Sequence, residues 1–133
     1  MSLIQVVYAS RPFGYDQGML NGILADARRC NERDGITGSL ICRADLYLQL
    51  LEGPADVVTA AFERIALDDR HLNVRRLLAG PTASRIFPAW AMRHDPARTW
   101  MWTPAEVAEG VPERAGRAEV LALFQRIAAE PDT

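Results

Sequence analysis

DGITGSLICRADLYLQLLEGP, residues 34–54, reads as two strands joined by a tight turn, and the rest of the chain can be arranged around it. The first strand is expected over about Ile36–Cys42, opened by Gly35 and interrupted by Gly38. The second is expected over Leu46–Glu52, with Gly53-Pro54 starting a helix. Arg43-Ala44-Asp45 serves as a three-residue hairpin loop. Side chains alternate faces along a strand, so Tyr47, Gln49 and Leu51 share one face, and Leu48, Leu50 and Glu52 the other. Gln49 is thus an amide in the middle of an apolar strand. Buried without partners it would cost roughly 1–3 kcal/mol, so something polar has to sit over it.

Upstream, Leu3–Ala9 is a strand with Ile4, Val6 and Tyr8 on one face, closed by the breaker-rich loop Ser10-Arg11-Pro12-Phe13-Gly14. Asp16 is suited to N-cap a helix reaching about Asn31, with Leu20, Ile23, Leu24 and Ala27 at helical spacing. Ile23, Ala27 and Asn31 lie four apart and form one stripe. Downstream, Asp56–Leu67 is a second helix that buries Val57, Val58, Ala61, Phe62 and Ile65. The segment from Asp68 to His71 turns the chain into a strand over Asn73–Ala79, ended by Gly80-Pro81. A short last strand is expected over Trp90–Arg93. The order β-α-β-β-α-β-β predicts an α+β, ferredoxin-like fold: a five-stranded mixed sheet with two helices on one face. Thr103-Pro104 begins a short helix and Glu113 to about Ala129 another. Apolar residues on both strand faces require a second cover, from the C-terminal helices, from another subunit, or from both. Residues 1–95 are therefore read as one domain and 96–133 as a helical extension.

Composition sets wide limits. The 133 residues are 49% hydrophobic and 24% charged, ordinary for a globular chain. A net charge of −2 gives no reason to expect nucleic acid or an anionic membrane as partner. Two cysteines, Cys30 and Cys42, are too few for a disulfide framework and read as reduced thiols. The N-terminus lacks a signal-peptide layout and no apolar run approaches about 18 residues, so a cytoplasmic protein is expected.

The sequence carries no nucleophile elbow, metal-ligand spacing or phosphate-binding glycine loop, and His71 and His94 have no ligand-like neighbours. Asp68, Asp69 and Arg70 read as a solvated turn. What stands out is polar residues in core-like positions: Tyr8 in a strand, Asn31 at a helix end, Gln49 in mid-strand. Singly, a strand Tyr ordinarily packs and an Asn at a helix C-terminus ordinarily caps it. Together they describe a polar-ended slot between two helices, walled by Ile23 and Ile65. A flat heteroaromatic ligand with edge carbonyls and an N–H would satisfy them.

These residues resemble the BLUF domains, flavin-based blue-light sensors. The matching pieces are VYAS around Tyr8, RRCNERDGITGSL, LYLQLLEGP, ALDDRH and FPAWAM, in family order from about Leu3 to Arg93. The resemblance implies a non-covalently bound FAD, with FMN as the alternative, whose ring lies between the two helices. It makes Tyr8 and Gln49 the photoactive pair and gives Asn31 the ring's polar edge. Ile23 and Ile65 would sandwich the ring, and Arg70 and His71 would come near its pyrimidine side. Trp90 and Met92 fall on the last strand, where the family couples flavin state to output; which of them faces the pocket stays open. Two positions depart from the family: Cys30 stands where Asn or His is usual, and Ala27 where Ser is common. Both line the implied site, each with one hydrogen-bonding group fewer.

The implied mechanism is electron and proton transfer from Tyr8 through Gln49, after which the amide keeps a changed orientation or tautomer. The chain is then a sensor and not an enzyme, expected to form a homo-oligomer and to act on a downstream protein. The 40 or so residues after Arg93 are too few for an effector domain. Trp100, Trp102 and the Val120–Ile127 stripe would pack on the back of the sheet or meet a partner. Two other readings stay open at this point: a flavin enzyme, for which no acid or base is placed, and a flavin-free module, either an acylphosphatase-like enzyme or an interaction domain.

Overall fold

The computed structural model describes residues 2–130. Its sheet has the order β4-β1-β3-β2-β5. The strands are β1 (Leu3–Pro12), β2 (Thr37–Arg43), β3 (Leu46–Pro54), β4 (His71–Thr82) and β5 (Arg93–Pro96). All neighbouring strands are antiparallel except β2 and β5. Two helices, α1 (Gln17–Asp34) and α2 (Ala55–Ala66), complete the expected ferredoxin-like order. Their apolar sides meet the sheet through Leu20, Ile23, Leu24, Val58 and Ala61, which pack with Val6, Leu40, Tyr47 and Leu51.

Local chemistry explains the boundaries. Asp16 caps α1 by accepting from the Met19 N–H at 2.7 Å. At the other end Gly35 takes the left-handed conformation, φ 70°, and its N–H bonds the Asn31 carbonyl. Asn31 is therefore one turn inside the helix and not its cap. Gly38 permits close packing of the hairpin, since a Cβ there would lie 1.9 Å from the Leu50 carbonyl oxygen. Arg43 pairs with Leu46, so the loop is the two residues Ala44-Asp45 and not three. Arg43 also grips Asp45 at 2.5 and 3.0 Å and reaches the Trp102 carbonyl at 2.8 Å.

Three other boundaries differ from expectation. β1 continues to Pro12 because β4 begins as early as His71 and pairs with it. β4 runs through Pro81 because it is an edge strand, where a missing N–H costs no ladder bond. The last strand is not Trp90–Arg93 but Arg93–Pro96. Trp90 and Met92 sit in the irregular crossing before it, and the charged run Arg93-His94-Asp95 makes the parallel pairs with Ser39, Leu40 and Ile41.

The tail covers the second face. Three helices, α3 (Pro104–Ala108), α4 (Val111–Arg114) and α5 (Arg117–Ala128), follow β5, so the helix expected from Glu113 is broken at Ala115-Gly116. Thr103 and Glu106 form a reciprocal capping box at the start of α3. Met101, Trp102, Val120, Leu123, Phe124 and Ile127 join Val7, Ala9, Ile41, Leu48 and Leu50 in one back-face core. A charged seam fastens this layer to β5. Arg93 lies 3.1 Å from Asp95, Asp95 accepts from Ser39 at 2.6 Å and from Arg98 at 3.2 Å, and Arg98 and Arg93 both bond Glu130 after α5.

Candidate functional site

The front face of the sheet carries the polar residues singled out above. Tyr8 and Gln49 are directly opposed on β1 and β3, so their side chains leave the sheet as neighbours. The β1–β4 ladder shifts register between Val7 and Tyr8, an irregularity of the kind that re-aims side chains beside functional sites. Both residues are buried, Tyr8 completely. The Tyr8 hydroxyl donates to Gln49 Oε1, and Gln49 Nε2 donates to Met92 Sδ at 3.2 Å. Burial holds the Tyr8 phenol well above its ordinary pKa, so it is neutral and carries its proton.

In front of Gln49 a slot opens between α1 and α2, with about 750 Å³ of empty space including its mouth. Ile23, Ala27, Cys30 and Asn31 come to it from α1, Ala61 and Ile65 from α2, and Gln49 and Leu51 from β3. Gln49 therefore stands between the buried phenol and the slot. Asn31 Nδ2 donates to the Ala91 carbonyl at 2.8 Å, while its Oδ1 accepts no hydrogen bond among the described residues. Apolar walls around a polar floor are what a flat ring with hydrogen-bonding edges requires.

Arg70 is not part of a solvated turn. It binds Asp68 through both carboxylate oxygens and reaches across the slot to Asp26 on α1 at 3.0 Å. Its guanidinium holds the Asp68 carboxyl below the usual carboxylate range. Asp26, Arg29 and Arg64 also line the mouth, and sequence reasoning did not single them out. His71 opens β4 and shares a hydrogen bond of 2.8 Å with Ser10. Met92 is buried against Gln49, whereas Trp90 is 38% exposed and its side chain makes no hydrogen bond to Tyr8 or Gln49; its carbonyl accepts from Gly38 N–H. Among the described residues no cluster of His, Cys, Asp or Glu could hold a metal ion.

Burial pushes the His71 imidazole down to about pH 4, against the ordinary 6.5. Between those values the unfolded chain binds the extra proton and the folded chain does not. Stability should therefore fall as the pH is lowered through that window, by about 1.4 kcal/mol per pH unit for this group. Urea unfolding between pH 7 and 4 is expected to show this slope and to lose it in His71→Gln. An unchanged slope in the variant would contradict the assignment.

Comparison with known proteins agrees with this geometry. The family model described as "BLUF: Sensors of blue-light using FAD" matches residues 3–93. The photoactivated adenylate cyclase subunit beta of Euglena gracilis is 34% identical over 92 residues, which is 68% of this chain and 10% of that protein. The blue light- and temperature-regulated antirepressor BluF of Escherichia coli is 36% identical over 61 residues, 46% of this chain and 15% of that one. The chain thus spans only a small part of the curated relatives it matches. Among solved structures, the dark state of BlrB, a BLUF protein, superposes with a TM-score of 0.78 at 29% identity over 96% of each chain. The photo-activated state of BlsA gives 0.78 at 25% identity over 98% of each. With the family model spanning β1 to β4, both helices and the slot between them, the chain belongs to the BLUF family of blue-light sensors that use flavin.

Proposed function

We propose that this chain binds FAD in the slot between α1 and α2 and signals the absorption of blue light through Gln49. The observation that carries the reading is the position of that amide, between a fully buried neutral tyrosine and the slot. Ile23 and Ile65 would grip the two faces of the ring, Ala27 and Cys30 would lie along it, and Asn31 would offer its free Oδ1 to a ring N–H. Arg70 and His71 would close the side toward the mouth. FAD is preferred over FMN because the family is described by it.

The bound flavin would supply a chromophore that oxidises a neighbouring phenol once excited. Tyr8 is the donor within reach, and its hydroxyl proton already lies on the bond to Gln49. An amide has an acceptor end and a donor end, so Gln49 can take that proton and pass one on. On return of the charge, the partners of Oε1 and Nε2 need not be those of the dark state. A Gln49 that gives up the Met92 sulfur for the ring edge leaves Met92 free to move. Met92 adjoins Arg93, the first residue of β5, so the disturbance would run into the charged seam and the C-terminal helices. Residues 1–95 would then be the sensing unit and 96–133 its output arm. The chain would work as a cytoplasmic homo-oligomer acting on a downstream protein, without catalysis of its own.

One absorption spectrum before and after blue light tests the reading. A yellow protein with a small, reversible red shift and no added substrate is expected; a colourless chain that refuses added flavin would overturn it. Asn31→Ala is expected to retain less flavin through purification, each lost hydrogen bond being worth about 0.5–1.5 kcal/mol. Equal occupancy in wild type and variant would remove Asn31 from the site.

A further inference from the structure

The chain from β4 to β5 crosses the width of the sheet, since β4 and β5 are its two edges. Midway it passes Glu52, which lies on the same strand as Gln49 but on the opposite face. Glu52 is fully buried, and no arginine or lysine forms an ion pair with its carboxylate among the described residues. Its oxygens accept instead from three N–H groups. The Ile86 N–H bridges both at 2.9 and 2.8 Å, the Phe87 N–H reaches one at 2.9 Å, and Gln5 Nε2 reaches the other at 2.9 Å. Arg85 adds a bond to the Glu52 carbonyl at 3.1 Å. An ionised carboxylate only accepts, and three amide N–H donors are what it needs when taken out of water. Such a group left in a core is costly unless every oxygen is held, so its geometry is tightly determined.

Beyond this clamp the crossing runs five residues to Met92. Over that length the backbone is tied by Gly38 N–H to the Trp90 carbonyl at 3.0 Å, Asn31 to the Ala91 carbonyl at 2.8 Å, and Arg28 Nε to the Met92 carbonyl at 3.0 Å. We propose that Glu52 is a positioning residue: its carboxylate sets the start of the crossing on the strand that bears Gln49, and so places Met92, and not Trp90, against the Gln49 amide. The clamp and the amide sit on one strand three residues apart and face opposite sides of the sheet. Any shift of β3 moves both together, which keeps the Met92 sulfur in register with Gln49. The bearing of this on the light response rests on the function proposed above; the placement of Met92 does not.

The test reads Met92 directly. The protein is labelled with [13C]methyl-methionine, and the Met92 resonance is identified by its loss in Met92→Leu. In Glu52→Ala the Met92 methyl signal is expected to shift or broaden, while that of Met101, in the back-face core, stays in place. Glu52→Gln keeps one acceptor oxygen and should displace Met92 less. A Met92 signal unmoved in folded Glu52→Ala would overturn the proposal, as would equal displacement of Met92 and Met101, which would mark a general loss of packing. If Glu52→Ala fails to fold, Glu52→Gln decides: Met92 moved with Met101 fixed supports the role, and Met92 unmoved overturns it. These outcomes are read without light. In the flavin-loaded protein, Glu52→Gln should keep the light-induced shift and change the dark-recovery rate several-fold; recovery at the wild-type rate would overturn the role in the light response.

Discussion

Gln49→Leu is expected to yield a protein that is still yellow and no longer changes colour under blue light. Leucine fills nearly the same space on β3 and leaves the apolar walls of the slot intact, so the ring keeps most of its contact area. What disappears is the amide hydrogen-bonded to both Tyr8 and Met92. Without an amide there is no acceptor for the tyrosine proton and no donor whose partner can change, and the light-induced red shift should be lost entirely. The substitution also strands the Tyr8 hydroxyl in a fully buried position, at a cost of about 1–3 kcal/mol in stability. Difference spectra and urea unfolding measure the two effects separately. A variant that still shifts reversibly would show that the signal is stored elsewhere.

Tyr8→Phe should lose the same shift for the complementary reason. The ring stays in place against Phe62 and His71, with centroids 5.8 Å away in each case, while the hydroxyl that carries the transferable proton is gone. Gln49 then keeps its bond to Met92 and loses its partner at Oε1. Destabilisation should again be about 1–3 kcal/mol, now from the stranded amide oxygen. Tyr8→Phe combined with Gln49→Leu should be less destabilised than the sum of the two, because each single change has already broken the shared bond. Strict additivity would mean that the two side chains are not coupled. An intact photocycle in Tyr8→Phe would assign the donor role to another residue.

The parts of this site that lie on single elements could be read in the sequence. Alternation in LYLQLLEGP put Gln49 on the same face as Tyr47 and Leu51, and helical spacing put Ile23, Ala27 and Asn31 on one stripe. Pairings between distant elements could not. The Asp26–Arg70 contact joins an ordinary-looking helix acid to a turn arginine, and nothing local distinguishes either from a solvated charge. The last strand was misplaced for a related reason. Trp90-Ala91-Met92 has the apolar look of a strand, but the segment that pairs with β2 is Arg93-His94-Asp95, in which Arg93 and Asp95 are buried and are answered by Ser39, Arg98 and Glu130. Glu52 is placed on the face of Leu48 and Leu50 by alternation, but nothing local shows that distant N–H groups hold its carboxylate in the interior. Apart from Arg98, which is three residues from Asp95, the deciding partners lie more than thirty residues away in the chain.

The seam around Asp95 bears on how such a chain can be divided. A cut after Asp95 would expose Val7, Ala9, Leu48 and Leu50 at once and would take Arg98 away from Asp95 and the Glu130 carbonyl away from Arg93. The Arg93–Asp95 pair itself would remain, but each partner would lose a hydrogen bond worth about 1.5–3 kcal/mol, before any loss of apolar contact, and whole domains hold only about 5–15 kcal/mol in reserve. The trailing helices therefore close the back of the sheet, and a version cut after Asp95 is expected to unfold at lower urea than the full chain.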